Sequence, residues 1–254
     1  MSSTVQASAP RVAKGVPPLR AGQGNSFFWR RLHSLSGIVP VGLFLLEHFV
    51  SNVEAMKGPA AYAAQVRFLN ALPFRDILEW VGIFIPLGFH ALYGVYIWWR
   101  GDSNLKDYPW AGNWGYTVQR YTGILAMLYI GWHVYSLRFT GVELPVFVDA
   151  SFYKVQHEMA SMAAVAFYVV GITAASWHFG YGLFLFACKW GVVTGEKAQK
   201  RMQLAGVGVS LLFVVMGLAS LLAFTRPKDE WPKHNLSEWQ GDPATAPKLD
   251  TNSK

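Results

Sequence analysis

Two stretches of the chain contain no Asp, Glu, Lys or Arg: 30 residues from Met159 to Cys188 and 24 from Met202 to Thr225. A helix needs roughly 20 apolar residues to cross the hydrocarbon core of a bilayer, and a soluble core helix of that length keeps a polar face. Three further runs, Leu32–Val50, Ile77–Trp99 and Tyr121–Phe139, share the apolar character. The pattern predicts an all-α fold, an integral membrane bundle of five transmembrane helices. Its approximate spans are 32–50, 77–99, 121–139, 159–188 and 202–225, within one domain over 27–226. Residues 1–26, rich in Ser, Ala, Pro and Gly and without an apolar segment, predict a disordered cytoplasmic leader rather than a secretory signal. Residues 227–254, with Pro227, Asp229, Pro232, Asp242, Pro243 and Pro247, predict a disordered tail. No internal repeat is visible.

Composition strengthens that picture. Only 15% of residues are charged, where a soluble domain spends about a quarter. Eleven Trp and seventeen Phe suit a chain solvated by lipid. The single cysteine, Cys188, excludes an iron–sulfur cluster and a Cys-x-x-Cys-His haem attachment within this chain. It reads as a small buried hydrophobe near a helix end.

The net charge of +7 is a topology signal, and nothing in it points to nucleic acid. With the N-terminus inside, the inner regions carry Arg11, Lys14, Arg20, Arg30, Arg31, Arg100, Lys106, Arg120, Lys189, Lys197, Lys200 and Arg201. The outer loops carry Lys57, Arg67, Arg75, Arg138 and Lys154, a balance of 12 against 5. Lys and Arg gather on the cytoplasmic side, so the expected location is the cytoplasmic membrane, multi-pass, with the N-terminus cytoplasmic. The cluster at Lys197–Arg201 also suits anionic lipid or a peripheral partner.

Four of the seven histidines lie deep in the spans, one on each of the first four helices: His48, His90, His133 and His178. Ionisable side chains inside a membrane are costly and mark function by default. At 1.5 Å per residue, His90 (ten residues before Arg100) and His178 (eleven before Lys189) lie roughly 15–17 Å from the inner charged edge. His133 (thirteen beyond Arg120) and His48 (seventeen beyond Arg31) lie roughly 20–25 Å from it. The four sort into an inner pair, His90 with His178, and an outer pair, His48 with His133. Each pair draws on two helices, as clamping a haem iron from both faces requires.

Zinc helices carry ligands at i and i+3 or i+4, completed by Cys or carboxylate, and no such doublet occurs here. A transport path would want acidic residues at depth, where only Glu47 is a candidate. Two histidines per site fit a b-type haem better, so the metal ligands expected are His90, His178, His48 and His133. Small residues leave room for a flat group, and Gly37, Gly42, Gly88, Gly94, Gly123, Gly131 and Gly171 supply them, although they also serve ordinary helix packing. Trp98, Trp99, Trp110, Trp114 and Trp132 read as an interfacial belt. His33, beside Arg30 and Arg31, is expected with Arg31 either to neutralise a propionate of the inner haem or to form an interfacial basic cluster.

The segments FFWRRLHSLSGIVPVG (Phe27–Gly42), LEHFV ending at Val50, LPFRDILEW (Leu72–Trp80) and FHALYGVYIWW (Phe89–Trp99) carry a family resemblance. QRYTGILAMLYIGWHVY (Gln119–Tyr135) and the WHFGYGLF segment around His178 continue it, in collinear order from Phe27 to Arg201. Together they resemble the membrane anchor of succinate:quinone oxidoreductases of the di-haem, single-anchor-chain type. The resemblance implies two b haems held between the first four helices, paired as depth pairs the histidines. It implies partners as well: a flavoprotein that oxidises succinate, and an iron–sulfur protein that passes electrons to the anchor, both docked on the cytoplasmic face. The implied acceptor is a membrane quinone, commonly menaquinone, near the distal haem, with Glu79, Asn52 and His157 as pocket candidates. Ser176 stands where fumarate-reducing members can carry an acidic residue, which favours succinate oxidation. No dicarboxylate site is visible, so no catalytic residue is expected in this chain. The di-haem cytochrome b subunit of fumarate reductase or another respiratory enzyme remains an alternative. So does a non-redox membrane protein whose histidines pack helices or carry protons.

Overall fold

The computed structural model describes residues 23–101, 105–107, 109–140, 150–226 and 228–231. Among them every regular element is helical. The chain runs through α1 (Gln23–Ile38), α2 (Pro40–Val53), a 3₁₀ turn (Glu54–Lys57), α3 (Pro59–Asn70) and the single turn α4 (Arg75–Ile77). A π-helical segment (Leu78–Phe84) leads into α5 (Ile85–Arg100). Then come α6 (Ala111–Val134) with a π-helical end (Tyr135–Phe139), α7 (Ser151–Glu158), α8 (Met162–Lys189) and α9 (Glu196–Thr225).

Among the described residues, four stretches are long and apolar enough to cross a membrane: Ser26–Lys57, Arg75–Arg100, Met162–Lys189 and Glu196–Thr225. The expected stretch 121–139 is helical too, inside α6 and its π-helical end, but Tyr121, Thr122, Tyr129 and His133 dilute its apolar character. In the Arg75–Arg100 stretch none of the most apolar window is buried within the chain. Leu92 is 74% exposed and Trp99 78%. Apolar surface left outward on this scale needs a lipid solvent.

Two prolines shape the spans. Pro40 lacks an N–H, so the first span is two helices, α1 and α2, joined by the hydrogen bond from Val39 N to Leu35 O at 2.9 Å. Pro86 sits at the start of α5, directly after the π-helical segment. The ladder widens where a proline removes a donor. Gly191, at φ +73°, ends α8 in the left-handed conformation that favours glycine. Ser161 opens α8, its hydroxyl accepting from Ala164 N at 3.1 Å.

Helices α8 and α9 make the most extensive packing, followed by α6 on α8 and α1 on α5. Gly180 of α8 and Gly206 of α9 face each other so closely that a Cβ on either would collide with the other's main-chain oxygen. Small residues permit that approach. At the far end the short helices α3 and α7 lie over the bundle, and Phe152 of α7 is almost wholly buried. Its ring meets Phe224 at 4.9 Å and Trp231 at 5.7 Å.

Three expectations change in detail. The helix starts at Gln23, inside the expected leader. The expected disorder of the tail does not extend to residues 228–231, which form a turn seating Trp231 over Gly58 and Phe152. Residues 1–22 and 232–254 lie outside the described residues. Trp98 departs from the expected belt and faces a cavity inside the bundle.

Candidate functional site

Helix α5 brings His90 and helix α8 brings His178 to a ring-centroid separation of 6.2 Å, with the rings 80° apart. Helix α2 brings His48 and the end of α6 brings His133 to 5.7 Å, again 80° apart. Two metal–imidazole bonds of about 2 Å each, plus the distance from each nitrogen to its ring centre, sum to ~6 Å. Both pairs therefore stand at the spacing of two imidazoles with one metal ion between them. The structure brings together the partners that depth alone had paired.

Hydrogen bonds decide which nitrogen each ring presents. His90 Nδ1 lies 2.9 Å from the main-chain oxygen of His33, and His178 Nδ1 lies 3.1 Å from that of Gln119. A carbonyl only accepts, so Nδ1 carries the hydrogen in both rings and Nε2 is left with its lone pair. That is the tautomer a ligand needs, held by the outer contacts that orient metal-bound histidines. Gln119 clamps His178 a second time, its side-chain Nε2 donating to the His178 carbonyl at 2.8 Å. On the outer pair, His133 Nδ1 lies 3.3 Å from the Tyr168 hydroxyl.

Three of the expected small residues make room for the inner pair. A Cβ on Gly37 would collide with the His90 ring, and one on Gly123 would lie 2.8 Å from His178 Cε1. Gly94 passes 3.4 Å from His33 Nε2 by the same measure. Gly42 and Gly171 seat the rings of Phe179 and Tyr129 instead, while Gly88 and Gly131 face open space.

These residues border a cavity of about 300 Å³ that reaches His90 and His178 through apolar walls. Its other end is polar: Arg30, Ser34, Arg120 and Lys189 line it. Several buried polar atoms lack a partner here, His33 Nδ1, Gln119 Oε1 and Arg120 Nε. Apolar walls, two facing imidazoles and Arg30, Arg120 and Lys189 along the lining fit a porphyrin with its acidic edge toward the cations. His33 lines the cavity, its ring edge-on to His90 at 4.0 Å. Arg31 does not. Its guanidinium is held between the rings of Phe27 and Trp190, at 4.8 and 4.7 Å, and its neighbour Arg30 lines the cavity instead. A helix turns 100° per residue, so adjacent arginines cannot share one face.

The outer end is built differently. Glu79 accepts two hydrogen bonds from Arg138, at 2.5 and 3.1 Å, tying the two π-helical segments together. Lys154 caps the end of the second one, donating to the carbonyls of Leu137 and Thr140 at 2.9 Å each. Asn52 turns back to the His48 carbonyl at 2.7 Å. Ser51 donates to Glu47 and accepts from Gln65. His157 is exposed on α7. Glu79, Asn52 and His157 thus do not converge through any of these contacts.

Sequence reasoning passed over Gln119, Tyr168 and Arg120 as site residues. Gln119 and Arg120 had a signal, lying one helical turn before Gly123. Tyr168 had a fainter one, its height in α8.

No family model matches the chain. The chain is 36% identical over 202 residues to the succinate dehydrogenase cytochrome b558 subunit of Bacillus subtilis (strain 168), a match covering 79% of this chain and 98% of that protein. Identity at this level over nearly the whole relative shows that the chain belongs to the family of succinate dehydrogenase cytochrome b subunits.

Proposed function

We propose that this chain is the membrane anchor and electron-transfer subunit of a succinate dehydrogenase, holding two b-type haems, one between His90 and His178 and one between His48 and His133. The observation that carries the reading is the pair of imidazole couples, each at metal-bridging separation and each from two helices. The haems, when bound, supply one-electron carriers at two levels of the bundle.

The protein's part is placement. His33 and Gln119 fix the inner ligands through their carbonyls. Arg30, Arg120 and Lys189 offer positive charge at the inner end, where propionates would gain charge-assisted contacts in a low-dielectric site. Arg31 steadies that end through its stacked rings. Apolar walls keep water from the carriers.

In this reading the bundle has five spans in the cytoplasmic membrane, α6 supplying the fifth, with the N-terminus cytoplasmic. Flavoprotein and iron–sulfur subunits dock on the cationic inner face. Electrons enter at the inner pair, pass to the outer pair and reach a membrane quinone, menaquinone, near the outer end. The Glu79–Arg138 ion pair, with Arg138 five residues beyond His133, sets a carboxylate and a guanidinium side by side at that level. Ser176, fully buried, adds no charge to α8, which suits succinate oxidation.

The test is a redox-poised optical titration of the purified protein, with haem quantified as the pyridine complex. Two b-type haems per chain, titrating at separate potentials, are expected. A single haem, or none, would sink the proposal.

A further inference from the structure

Tyr168 stands on α8 ten residues before His178, about 15 Å farther from the inner edge by the helical rise. That is the height of the outer pair, on a helix that gives that pair no ligand. The tyrosine is 4% exposed. Its ring meets Tyr129 edge-on at 5.3 Å, and Tyr129 in turn lies tilted beside His133 at 5.7 Å. Tyr129 fits there because Gly171 has no Cβ to strike its ring. The Tyr168 hydroxyl lies 3.3 Å from His133 Nδ1.

The inner pair is held differently. There both Nδ1 atoms face main-chain carbonyls, which no substitution at the accepting residue removes. At His133 the corresponding contact comes from a side chain and is therefore open to chemical tuning.

We propose that Tyr168 is a positioning residue for His133. Its phenol oxygen accepts the Nδ1–H, turns Nε2 toward the iron and sets how strongly that nitrogen donates. The inference rests on the reading that His48 and His133 hold a haem. An imidazole whose N–H is hydrogen-bonded is a more basic ligand through its other nitrogen, and a more basic ligand favours oxidised iron. Tyr168→Phe removes the acceptor and keeps the ring, so the outer haem becomes easier to reduce.

The experiment is a redox titration of the assembled complex carrying Tyr168→Phe, followed by haem absorbance. Two haems per chain are expected. At the wild-type midpoint of the outer haem, its reduced-to-oxidised ratio rises at least threefold, about 28 mV at 59 mV per decade, while the inner haem is unmoved. Tyr168→3-fluorotyrosine keeps the shape and weakens the acceptor. It gives a smaller shift of the same sign, and it carries the test if the Phe variant does not assemble. Tyr129→Phe, beside the same histidine, shifts neither haem. An unmoved outer haem in both Tyr168 variants, equal shifts of the two haems, or an equal shift from Tyr129→Phe would overturn the proposal. A wild-type complex with fewer than two haems overturns instead the reading on which it rests.

Discussion

The inner and outer histidine pairs use one side chain at nearly one spacing, 6.2 and 5.7 Å between ring centroids, inside very different walls. The inner pair lies in a cavity that ends in Arg30, Arg120 and Lys189, and main-chain carbonyls orient its rings. The outer pair sits under aromatic rings, with the Tyr168 hydroxyl 3.3 Å from His133 Nδ1 and a layer of Tyr62, Phe152 and Trp231 farther out. Charges near the outer end are already committed, Arg138 to Glu79 and Lys154 to two carbonyls. Identical ligands therefore need not make identical sites. The walls decide which pair adjoins cations and which adjoins aromatic rings.

The comparison can be broken most decisively at the ligands. His90→Ala or His178→Ala removes the inner haem and leaves the outer, whereas His48→Ala or His133→Ala does the reverse. Haem stoichiometry and the surviving midpoint check this. Loss of both haems from each variant would show that the two sites do not stand independently. Next in size is Gly37→Val, whose side chain must enter the space of the His90 ring. Retention of the inner haem during purification should fall at least tenfold with the outer haem kept, because a packed core cannot absorb an added isopropyl group at that point.

Arg120 sharpens the contrast from the inner side. Its guanidinium donates to the carbonyls of Trp98 and Gly101, at 2.6 and 2.5 Å, closing the end of α5. Hydrogen bonds to charged groups contribute about 1.5–3 kcal/mol each, so Arg120→Ala should lower the thermal midpoint in detergent by several degrees. Arg120→Lys should recover part of that loss, which differential scanning fluorimetry would resolve. The smallest effect is at Lys154, outside the spans. Burial lowers its pKa below the usual 10.5. Just below pH 10.5 the unfolded chain binds the proton that the folded chain has released, so stability rises with pH there. Lys154→Met should flatten that rise in alkaline unfolding curves.

Much of this was legible in the chain because a bilayer imposes a ruler. Uncharged runs marked the spans, and residue counts from Arg31, Arg100, Arg120 and Lys189 placed each histidine in depth, which sufficed to pair them. Depth carries no azimuth, and the errors follow from that. Arg31 and Arg30 share a height but face different neighbours, and Trp98 shares the height of Trp99 yet turns inward. The short helices Pro59–Asn70 and Ser151–Glu158 lie outside the apolar runs and left no hydropathy signal. The π-helical segments depend on where backbone donors go missing, which Pro86 hinted at and the apolar pattern did not.

The contact between Gly180 and Gly206 has a consequence for speed. The backbone that carries His178 is pressed against α9 two residues away, with no side chain between to act as a cushion. In the proposed reading, a ligand anchored that firmly would keep its place whichever charge the metal carries. Electron transfer slows when atoms must rearrange to accept the new charge. Widening this seam, by a methyl group on either glycine, would tax the rate through reorganisation and leave the ligand set untouched.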